Sequence, residues 1–319
     1  MSLSALFKSS SSEARRNYDV QAAPEFLFER RPTNFECIER IAGQPKPSGR
    51  GNKTFLVAGN QPPYLLTRSE KSMLIRSELP SLTVTADPSN SIAVAGSSRT
   101  DWSIRFCAEG SGQTEAEARE RLQQVSMTRL GATVSINSPP LGEPAHERGS
   151  LVLDAPADAP IVIYASYSAV QVRDMAGPVR VTATHAQATI LDTTGRGDAS
   201  AFVIDFAGSR GIVNLSAEAE INLKMTTSRF DGALLARAQR PVRVLAPPGF
   251  VTPFQVLVNR PRDFVCRADS CSKMAQEKKG GLYVFTYSGD GNTAAERFHL
   301  RSEHSTVVVG TSSAKKPSS

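Results

Sequence analysis

Cys266 and Cys271 are separated by four residues and form the most closely spaced pair of thiols in the sequence. A lone pair of cysteines does not complete a tetrahedral zinc site, which needs four ligands, and Cys37 and Cys107 are far away in sequence. The spacing suits a local disulfide across a bend and equally two free thiols, because the redox state depends on the compartment. We take Cys266 and Cys271 as a candidate disulfide and leave their redox state open.

Basic residues are concentrated between residues 224 and 267. This segment holds eight lysines and arginines against two aspartates, a net charge of +6 that equals the excess of the whole chain. Clustered positive charge attracts anionic polymers, lipid head groups or acidic proteins, although a run of charges also suits an ordinary solvated surface. The candidate contacts to an anionic surface are Arg237, Arg240, Arg243, Arg260 and Arg262.

Three aspartates each precede a glycine by three residues. Asp accepts hydrogen bonds from nearby backbone amides and Gly tolerates a positive φ, so an Asp-x-x-Gly sequence is typical of a bend. A column of stacked carboxylates could alternatively hold cations, which would relieve the repulsion between like charges. We predict repeat turns rather than a cation site at Asp174, Gly177, Asp192, Gly195, Asp205 and Gly208.

The sequence offers no recognisable catalytic or cofactor-binding motif. Residues 49–54 contain two glycines, a lysine and a threonine, but the lysine does not directly follow a glycine as a phosphate-binding loop requires. His299 and His304 are five residues apart on a segment that alternates like a strand, so their side chains point to opposite faces. A Gly-x-Ser-x-Gly nucleophile elbow is missing. We expect no enzyme activity, no cofactor and no metal site.

An 18-residue segment occurs twice in tandem, at residues 160–177 and 178–195, and apolar and polar residues alternate in both copies. A shortened third copy, at residues 201–208, places Val203 where the first two have Val172 and Ile190. Less regular copies continue the pattern to residue 245. Period-two alternation predicts two short strands per copy. A tandem period of about 20 residues predicts a parallel β-solenoid, in which stacked coils bury one apolar column.

Upstream of the repeats the pattern changes to a small α+β unit. Thr114 and Glu117 form a capping box, so a helix is predicted near 114–130, with Gly131 as its stop. We expect this unit to cap the N-terminal end of the coils, because an open end exposes unpaired strand edges. Its strands are predicted from their alternation at residues 82–85, 92–95, 102–108 and 133–136.

Composition is that of a folded globular chain, with 40% hydrophobic and 21% charged residues. No apolar run approaches the roughly 20 residues of a membrane span, and the N-terminus lacks an apolar segment of signal-peptide length. We expect a cell-envelope or extracellular location if a signal segment is missing from the numbering, and a cytoplasmic one otherwise.

The chain is predicted to divide into five parts. They are an N-terminal tail and partly ordered segment at 1–52, the α+β capping unit at 53–137, a Pro-rich linker with one short strand at 138–159, the β-solenoid with C-terminal strands at 160–310, and a polar tail at 311–319.

The order of these elements resembles the bacterial putative-adhesin domain family of unknown function. The matching elements are residues 90–96 (NSIAVAG, with Ser where Gly is common), the strand–helix–strand insert, the tandem repeats and the exit at residues 244–250 (VLAPPGF). The resemblance implies a mainly β chain, a short parallel β-solenoid preceded by the α+β unit, and a cell-envelope role. It supplies no catalytic residues.

These features together predict a non-enzymatic, adhesin-like binding or structural module. Its partner is expected to be an anionic polymer, a lipid surface or a protein, and self-assembly through open coil ends is a further alternative. The competing hypothesis is a polysaccharide lyase or hydrolase, since parallel β-helices also support enzymes that use carboxylates and basic residues on one outer face. The repeats are short, and no long insertion interrupts residues 160–208 to build the groove of such an enzyme.

Overall fold

The computed structural model describes residues 73–86, 90–109, 114–137, 148–289 and 298–311. Within these ranges the chain is mainly β, with 20 strands hydrogen-bonded into one sheet and one α-helix. None of the helices in them is long and apolar enough to cross a lipid bilayer. The tail predicted at 1–52, the first part of the linker predicted at 138–159 and nearly all of the tail predicted at 311–319 lie outside the described residues.

The strands are short at both ends of the chain and long in the repeats. The N-terminal elements are β1 (Met73–Ser77), β2 (Leu82–Ala86), β3 (Ser91–Ser97), β4 (Trp102–Glu109), α1 (Glu115–Gln124), β5 (Ser126–Leu130), β6 (Thr133–Asn137) and β7 (Arg148–Pro156). The repeats form β8 (Ile161–Ser166), β9 (Ala169–Arg173), β10 (Val179–Leu191), β11 (Arg196–Gly208), β12 (Arg210–Met225), β13 (Asp231–Ala238) and β14 (Val242–Ala246). The C-terminal strands are β15 (Phe254–Val258), β16 (Phe264–Cys266), β17 (Ala275–Lys279), β18 (Leu282–Tyr287), β19 (Phe298–Ser302) and β20 (Val307–Thr311), with 3-10 helices at Pro261–Asp263 and Asp269–Lys273.

Strand pairing divides the sheet into two mainly parallel ladders. Ladder A runs in the order β5, β6, β2, β8, β10, β11, β12, β13, β19, β15, β18, β17. Ladder B runs in the order β1, β4, β7, β3, β9, β10, β11, β12, β14, β20, β16. The long strands β10, β11 and β12 contribute their first halves to ladder A and their second halves to ladder B. We call one ladder A strand and the ladder B strand that follows it a rung.

Alternate residues of both ladders join one buried apolar core. A column in ladder A aligns Val84, Ile163, Val181, Ala199 and Leu215, and all of these side chains are buried. Burying a side chain the size of Val, Leu or Ile stabilises a fold by about 1.5–3 kcal/mol. A single rung buries few such side chains, so the fold depends on the stacking of neighbouring rungs.

The rungs do not stack in chain order at either end. The β6/β7 rung lies outside the β2/β3 rung, which separates it from β8 and β9. At the other end the β19/β20 rung lies between β13/β14 and β15/β16. The terminal strands of ladder A, β5 and β17, are antiparallel to their neighbours, as is β1 in ladder B, and β16 has only three residues. The short edge strand β16 and the charged side chains of the edge strand β17 (AQEKK) limit edge-to-edge pairing with another molecule.

The register of the first two repeat copies is regular, and that of the third is not. Ile190 is aligned with Val172, 18 residues earlier. The prediction that Val203 continues this buried column is wrong, because Ile190 is aligned with Phe206, and Val203 is half-buried. The bend between the ladder A half and the ladder B half is shorter in β11 than in β10. In β10, Ala188 of ladder B comes five positions after Ala183 of ladder A. In β11, the aligned residues are Ile204 and Ala201, which are only three positions apart.

Strand pairing joins the predicted α+β unit directly to the repeats, since β2 pairs with β8 and β3 with β9. Helix α1 begins at the predicted cap, where the Thr114 hydroxyl accepts a hydrogen bond from the Glu117 amide (3.2 Å). It ends at Gln124 rather than near residue 130, because the next segment alternates as strand β5 and forms a hairpin with β6. Gly131, with a φ of +58°, is in the turn of that hairpin and does not stop the helix. The short strand predicted at 151–153 extends over all of β7.

Candidate functional site

Asp174 and Asp192 occupy equivalent bends that follow the ladder B strands of successive rungs. Both have a positive φ, 57° and 48° respectively. The glycines of these bends have a different role, because a Cβ on Gly195 would lie 2.1 Å from the carbonyl oxygen of Ala176 in the preceding rung. Gly177 meets a backbone carbonyl equally closely, at 2.2 Å. Close approach of neighbouring rungs, rather than positive φ, therefore requires glycine at both positions.

Asp205 and Gly208 are not turn residues of this kind, which corrects the prediction. Asp205 lies within the ladder B half of β11, aligned with Thr189 and Asn222, and its side chain is fully buried. Its carboxylate accepts hydrogen bonds from the side-chain amides of Gln187 and Asn222, the latter at 2.9 Å. Burial raises the pKa of Asp205 above its ordinary value, although both hydrogen bonds oppose the shift.

The three predicted aspartates therefore form no column. Because the bend inside β11 is shorter, Asp205 is not aligned with Asp192. The residue of β11 that lies nearest the level of Asp192 is Gly208, the last residue of that strand. Across the described ranges no group of three or more His, Cys, Asp or Glu side chains is arranged to hold a metal ion.

The outer faces of the two ladders differ in their accessibility. In ladder B the outward positions Leu191, Asp205 and Asn222 are buried. In ladder A the outward positions of the same rungs, such as Arg180 and Ser200, are exposed. The outward ladder B positions Thr189 and Arg243 are half-buried, so the outer face of ladder A is the more accessible of the two.

A shallow groove of about 300 Å³ crosses the middle of this outer face. Thr182, Ser200 and Ser216 are aligned on consecutive rungs and line it with hydroxyl groups. A second recess of about 240 Å³ continues from it toward Glu303 and shares Ser200, Ser216 and Arg237 with it. We call the first recess the central groove; its outward-facing lining residues are Arg180, Thr182, Asp198, Ser200, Asn214, Ser216, Leu235 and Arg237.

Asp198 is the carboxylate of the central groove. One of its oxygens accepts a hydrogen bond from Asn214 Nδ2 (2.7 Å) and the other from Arg196 Nε (3.0 Å). The Asn214 hydrogen bond, together with Arg196 and the nearby charge of Arg180, holds the pKa of Asp198 below its ordinary value. Both oxygens of an ionised Asp198 are thus engaged within the protein.

Four of the five predicted arginines lie on or beside one corner of the molecule. Arg237 is on the outer face of ladder A, aligned with Ser216 and Arg301. Arg240 is in the bend that follows β13, and Arg260 and Arg262 are in the bend that follows β15. The rungs that contain β13 and β15 are separated by one rung only. We call Arg237, Arg240, Arg260 and Arg262 the basic corner.

Arg243, the fifth predicted arginine, lies away from this corner. It is in the ladder B strand β14, where it forms an ion pair with Glu220 (2.7 Å) and donates a hydrogen bond to Asn222 (3.1 Å). Its neighbours therefore include the polar group around the buried Asp205. We expect Arg243 to have a structural role rather than a role in surface contacts.

Acidic side chains neutralise part of the basic corner. Arg237 forms an ion pair with Glu303, and the hydrogen bond between them, with help from Arg301 and His304, holds the pKa of Glu303 below its ordinary value. Arg260 pairs with Asp263 (2.9 Å). Arg240 and Arg262 are exposed and pair with no acidic side chain of the described part of the chain. These two arginines are the best placed to contact an external anion.

Cys266 and Cys271 are joined by a disulfide, with an S–S distance of 1.98 Å and Cα atoms 5.7 Å apart. The bond links β16, the last strand of ladder B, to the 3-10 helix Asp269–Lys273. Cys107 is also disulfide-bonded. The spacing of Cys266 and Cys271 alone was compatible with a disulfide and with two free thiols, and in the structure they form a disulfide. This disulfide lies at the end of the stacked rungs.

Sequence reasoning missed a group of exposed aromatic side chains on the ladder A side. Tyr164 is 46% exposed, Tyr167 55% and Phe202 42%. The rings of Tyr167 and His185, which occupy equivalent positions in the two repeat copies, stack with centroids 4.9 Å apart. The available signal was that these aromatics fall on polar, outward positions of the alternating pattern.

Comparison with known proteins identifies no family. No family model matches the chain, and its sequence matches no curated protein. One solved structure that resembles it is a putative cell adhesion protein from Clostridium sporogenes ATCC 15579, with 7% identity, coverage of 76% of this chain and 99% of that chain, and a TM-score of 0.28. Another is a putative adhesin from Bacteroides fragilis NCTC 9343, with 8% identity, coverage of 77% and 99%, and a TM-score of 0.30. Likenesses at these TM-scores carry no argument about this chain.

Proposed function

We propose that this protein is a non-enzymatic, adhesin-like binding module, a short β-solenoid that holds an anionic polymer at its basic corner. The observation that carries the proposal is the placement of Arg240 and Arg262. Both are exposed, both lack an acidic partner among the described residues, and they lie on bends of rungs that are close neighbours.

The solenoid form is supported by the pairing of the strands. Three long strands, β10, β11 and β12, pass from ladder A to ladder B, and each pairs with the next in both ladders. A chain that alternates between two parallel ladders in this way winds once per rung around the core between them. Each winding then adds about 4.8 Å to the length of the stack.

Solenoid geometry concentrates positive charge along a line. Bends of successive rungs lie above one another, so Arg240 and the bend that carries Arg260 and Arg262 are about two rung spacings, or about 10 Å, apart. A linear polyanion that runs along the stack can contact all of them together. A flat lipid surface needs a broad basic face, whereas the outer face of ladder A beside this corner is of mixed charge, with Asp198 and Glu303 next to Arg180 and Arg237.

Other functions have less support from the structure. Self-assembly through open ends is disfavoured by the charged edge strand β17 (AQEKK) in ladder A and by the three-residue edge strand β16 in ladder B. A lyase or hydrolase needs an accessible carboxylate that is free to exchange a proton or attack the sugar. Such hydrolases use a pair of carboxyl groups, whereas Asp198 is the one carboxylate among the described residues that line the central groove.

The proposal is tested by retention of the full chain on heparin, on polygalacturonate and on phosphatidylserine vesicles, with dextran and phosphatidylcholine vesicles as neutral controls. Because the Debye length shortens from about 10 Å at 0.1 M to about 3 Å at 1 M, binding to the two acidic polymers should be lost at high salt. Failure to bind either polymer at low salt would contradict the proposal, as would selective retention on the vesicles. Steady release of unsaturated or reducing sugar ends from polygalacturonate would instead support the enzyme alternative.

A further inference from the structure

We propose that the polymer held by this protein is an acidic polysaccharide, whose sugar rings lie in the central groove while its anionic groups reach the basic corner. This inference rests on the proposed function and specifies the ligand class. The central groove and the basic corner share Arg237, so one chain can occupy both.

The groove runs along the stack, across the strands. Thr182, Ser200, Ser216 and Arg237 are aligned on four consecutive rungs. Small hydroxyl side chains keep the floor low over the first three of these rungs, a distance of about 10 Å at the ordinary strand spacing. A linear molecule fits this shape better than a compact one.

The hydroxyl groups of Thr182, Ser200 and Ser216 can both donate and accept hydrogen bonds on three consecutive rungs of the groove. Each Ser or Thr hydroxyl offers one donor and two acceptor lone pairs, and Asn214 adds a side-chain carbonyl at the edge of the groove. Sugar hydroxyl groups have the same double capacity. A row of matched hydroxyls therefore suits a polyhydroxyl ligand, whereas a phosphate chain, which only accepts hydrogen bonds, would use half of this capacity.

Two exposed aromatic side chains lie on the same outward face, next to residues that line the groove. Tyr164 is aligned with Thr182 on the preceding rung, and Phe202 follows Ser200 on the same outward side of β11. Both rings are more than 40% exposed. Each ring presents an exposed apolar face, on which the flat C–H face of a sugar ring can pack.

The remaining charges suit an acidic sugar chain rather than a neutral one. Arg180 is exposed at the edge of the groove and forms no ion pair with any described residue. Arg240 and Arg262 lie beyond the other end. Arginine binds carboxylate and sulfate groups through two parallel hydrogen bonds.

Single-stranded nucleic acid is the other ligand that uses aromatic stacking together with arginine. Its bases stack on the open faces of aromatic rings. The stacked rings of Tyr167 and His185 leave no gap between them for a base, because their centroids are 4.9 Å apart. Tyr164 and Phe202 would offer a base the same exposed ring faces as a sugar, so binding of single-stranded DNA is the measurement that separates the two ligands.

The test compares three polyanion probes on the full chain: polygalacturonate, inorganic polyphosphate and a single-stranded DNA oligonucleotide. Tyr164→Ala should weaken polygalacturonate binding by about tenfold or more and leave polyphosphate binding unchanged. Tyr164→Phe, which keeps the ring, should bind polygalacturonate like the unmodified chain. Because Tyr164 is an outward residue, thermal unfolding of both variants should match that of the unmodified chain, which excludes misfolding as the cause.

Three results would overturn the inference: equal binding of polygalacturonate by Tyr164→Ala and the unmodified chain, an equal loss for polygalacturonate and polyphosphate, or tighter binding of DNA than of polygalacturonate. In each case the proposed function would still hold if the unmodified chain bound polyphosphate and the double variant Arg240→Glu/Arg262→Glu did not. If the unmodified chain bound none of the three probes, the proposed function itself would fail.

Discussion

Ile190 of β10 is aligned with Phe206 of β11 in ladder B, and both side chains are buried to within 1% of their surface. On its other side Ile190 is aligned with Val172 of β9. The buried column therefore continues through three rungs even though the third repeat copy is out of register with the first two in sequence. Contacts between rungs, rather than the exact period, maintain the core.

This column should be sensitive to loss of volume. Ile190→Ala should lower the free energy of unfolding by about 2–5 kcal/mol, because it removes buried methyl groups and leaves a cavity between Val172 and Phe206. The measurement is urea unfolding followed by circular dichroism. Thr182→Ala, on the outer face of the same strand, should change the value by less than about 0.5 kcal/mol. Equal effects of the two substitutions would contradict the assignment of inner and outer faces.

The glycines of the repeat provide a matched pair. A Cβ on Gly195 would lie 2.1 Å from a backbone oxygen of the preceding rung, whereas a Cβ on Gly197 would lie 3.9 Å from Val213. Gly195→Ala should therefore cost about 1–3 kcal/mol through overpacking, and Gly197→Ala should be neutral or stabilise by up to about 1 kcal/mol. Thermal unfolding midpoints compare the two. A Gly195→Ala variant as stable as Gly197→Ala would show that the rungs are not packed this closely.

Asp205 and Asp198 should influence stability with opposite dependence on pH. The pKa of Asp205 is raised by burial, so its contribution is present below the unfolded-state carboxyl pKa of about 3.9 and is lost as pH rises through the higher folded value. The pKa of Asp198 is lowered by its Asn214 hydrogen bond, so its contribution is present above about 3.9 and is lost as pH falls.

The comparison uses Asp205→Asn and Asp198→Asn, each measured against the unmodified chain by urea unfolding between about pH 3 and about pH 7. From low to neutral pH, the stability of the unmodified chain relative to Asp205→Asn should fall. Its stability relative to Asp198→Asn should rise over the same interval. Trends of the same sign for both variants would mean that one of the two environments is misassigned.

The mainly β class and the register of the first two repeat copies were accessible from the sequence, because Ile161 and Val179 fall at equivalent positions of two tandem 18-residue copies and are aligned in ladder A. The placement of Asp205 was not accessible. Its Asp-x-x-Gly context is that of a bend, and only the shortened corner of β11 moves it into a strand. The order of the rungs at both ends could not be predicted either, because these rungs do not stack in chain order and therefore produce no regular period in the sequence. Strand β19, for example, pairs with β13 and with β15, both of which are far from it in the chain.

The candidate site was only partly predictable for the same reason. Charge clustering in the sequence identified Arg240 and Arg262, but it also included Arg243, which the alternation of β14 turns toward ladder B and Glu220. The central groove combines residues from β10, β11, β12 and β13, which are far apart in sequence and meet only when the rungs stack. Alternation marked Arg180 and Thr182 as outward-facing residues but could not indicate which outer face remains exposed.

The position of the arginines, and not the net charge of the chain, should determine binding of an anionic polymer. Arg240→Glu/Arg262→Glu reverses two charges at the basic corner. Arg210→Glu/Arg229→Glu reverses two exposed arginines at the opposite bends, beside the starts of β12 and β13, and changes the net charge equally. The two double variants are therefore matched in charge and in exposure class.

The most direct test is the Kd of fluorescently labelled heparin for the unmodified chain and both double variants, measured by anisotropy at about 0.1 M salt, where the Debye length is about 10 Å. Arg240→Glu/Arg262→Glu should raise Kd by about tenfold or more, whereas Arg210→Glu/Arg229→Glu should raise it by less than about threefold. Equal increases in Kd for the two variants would show that net charge alone governs the interaction, and would contradict a binding site at the basic corner.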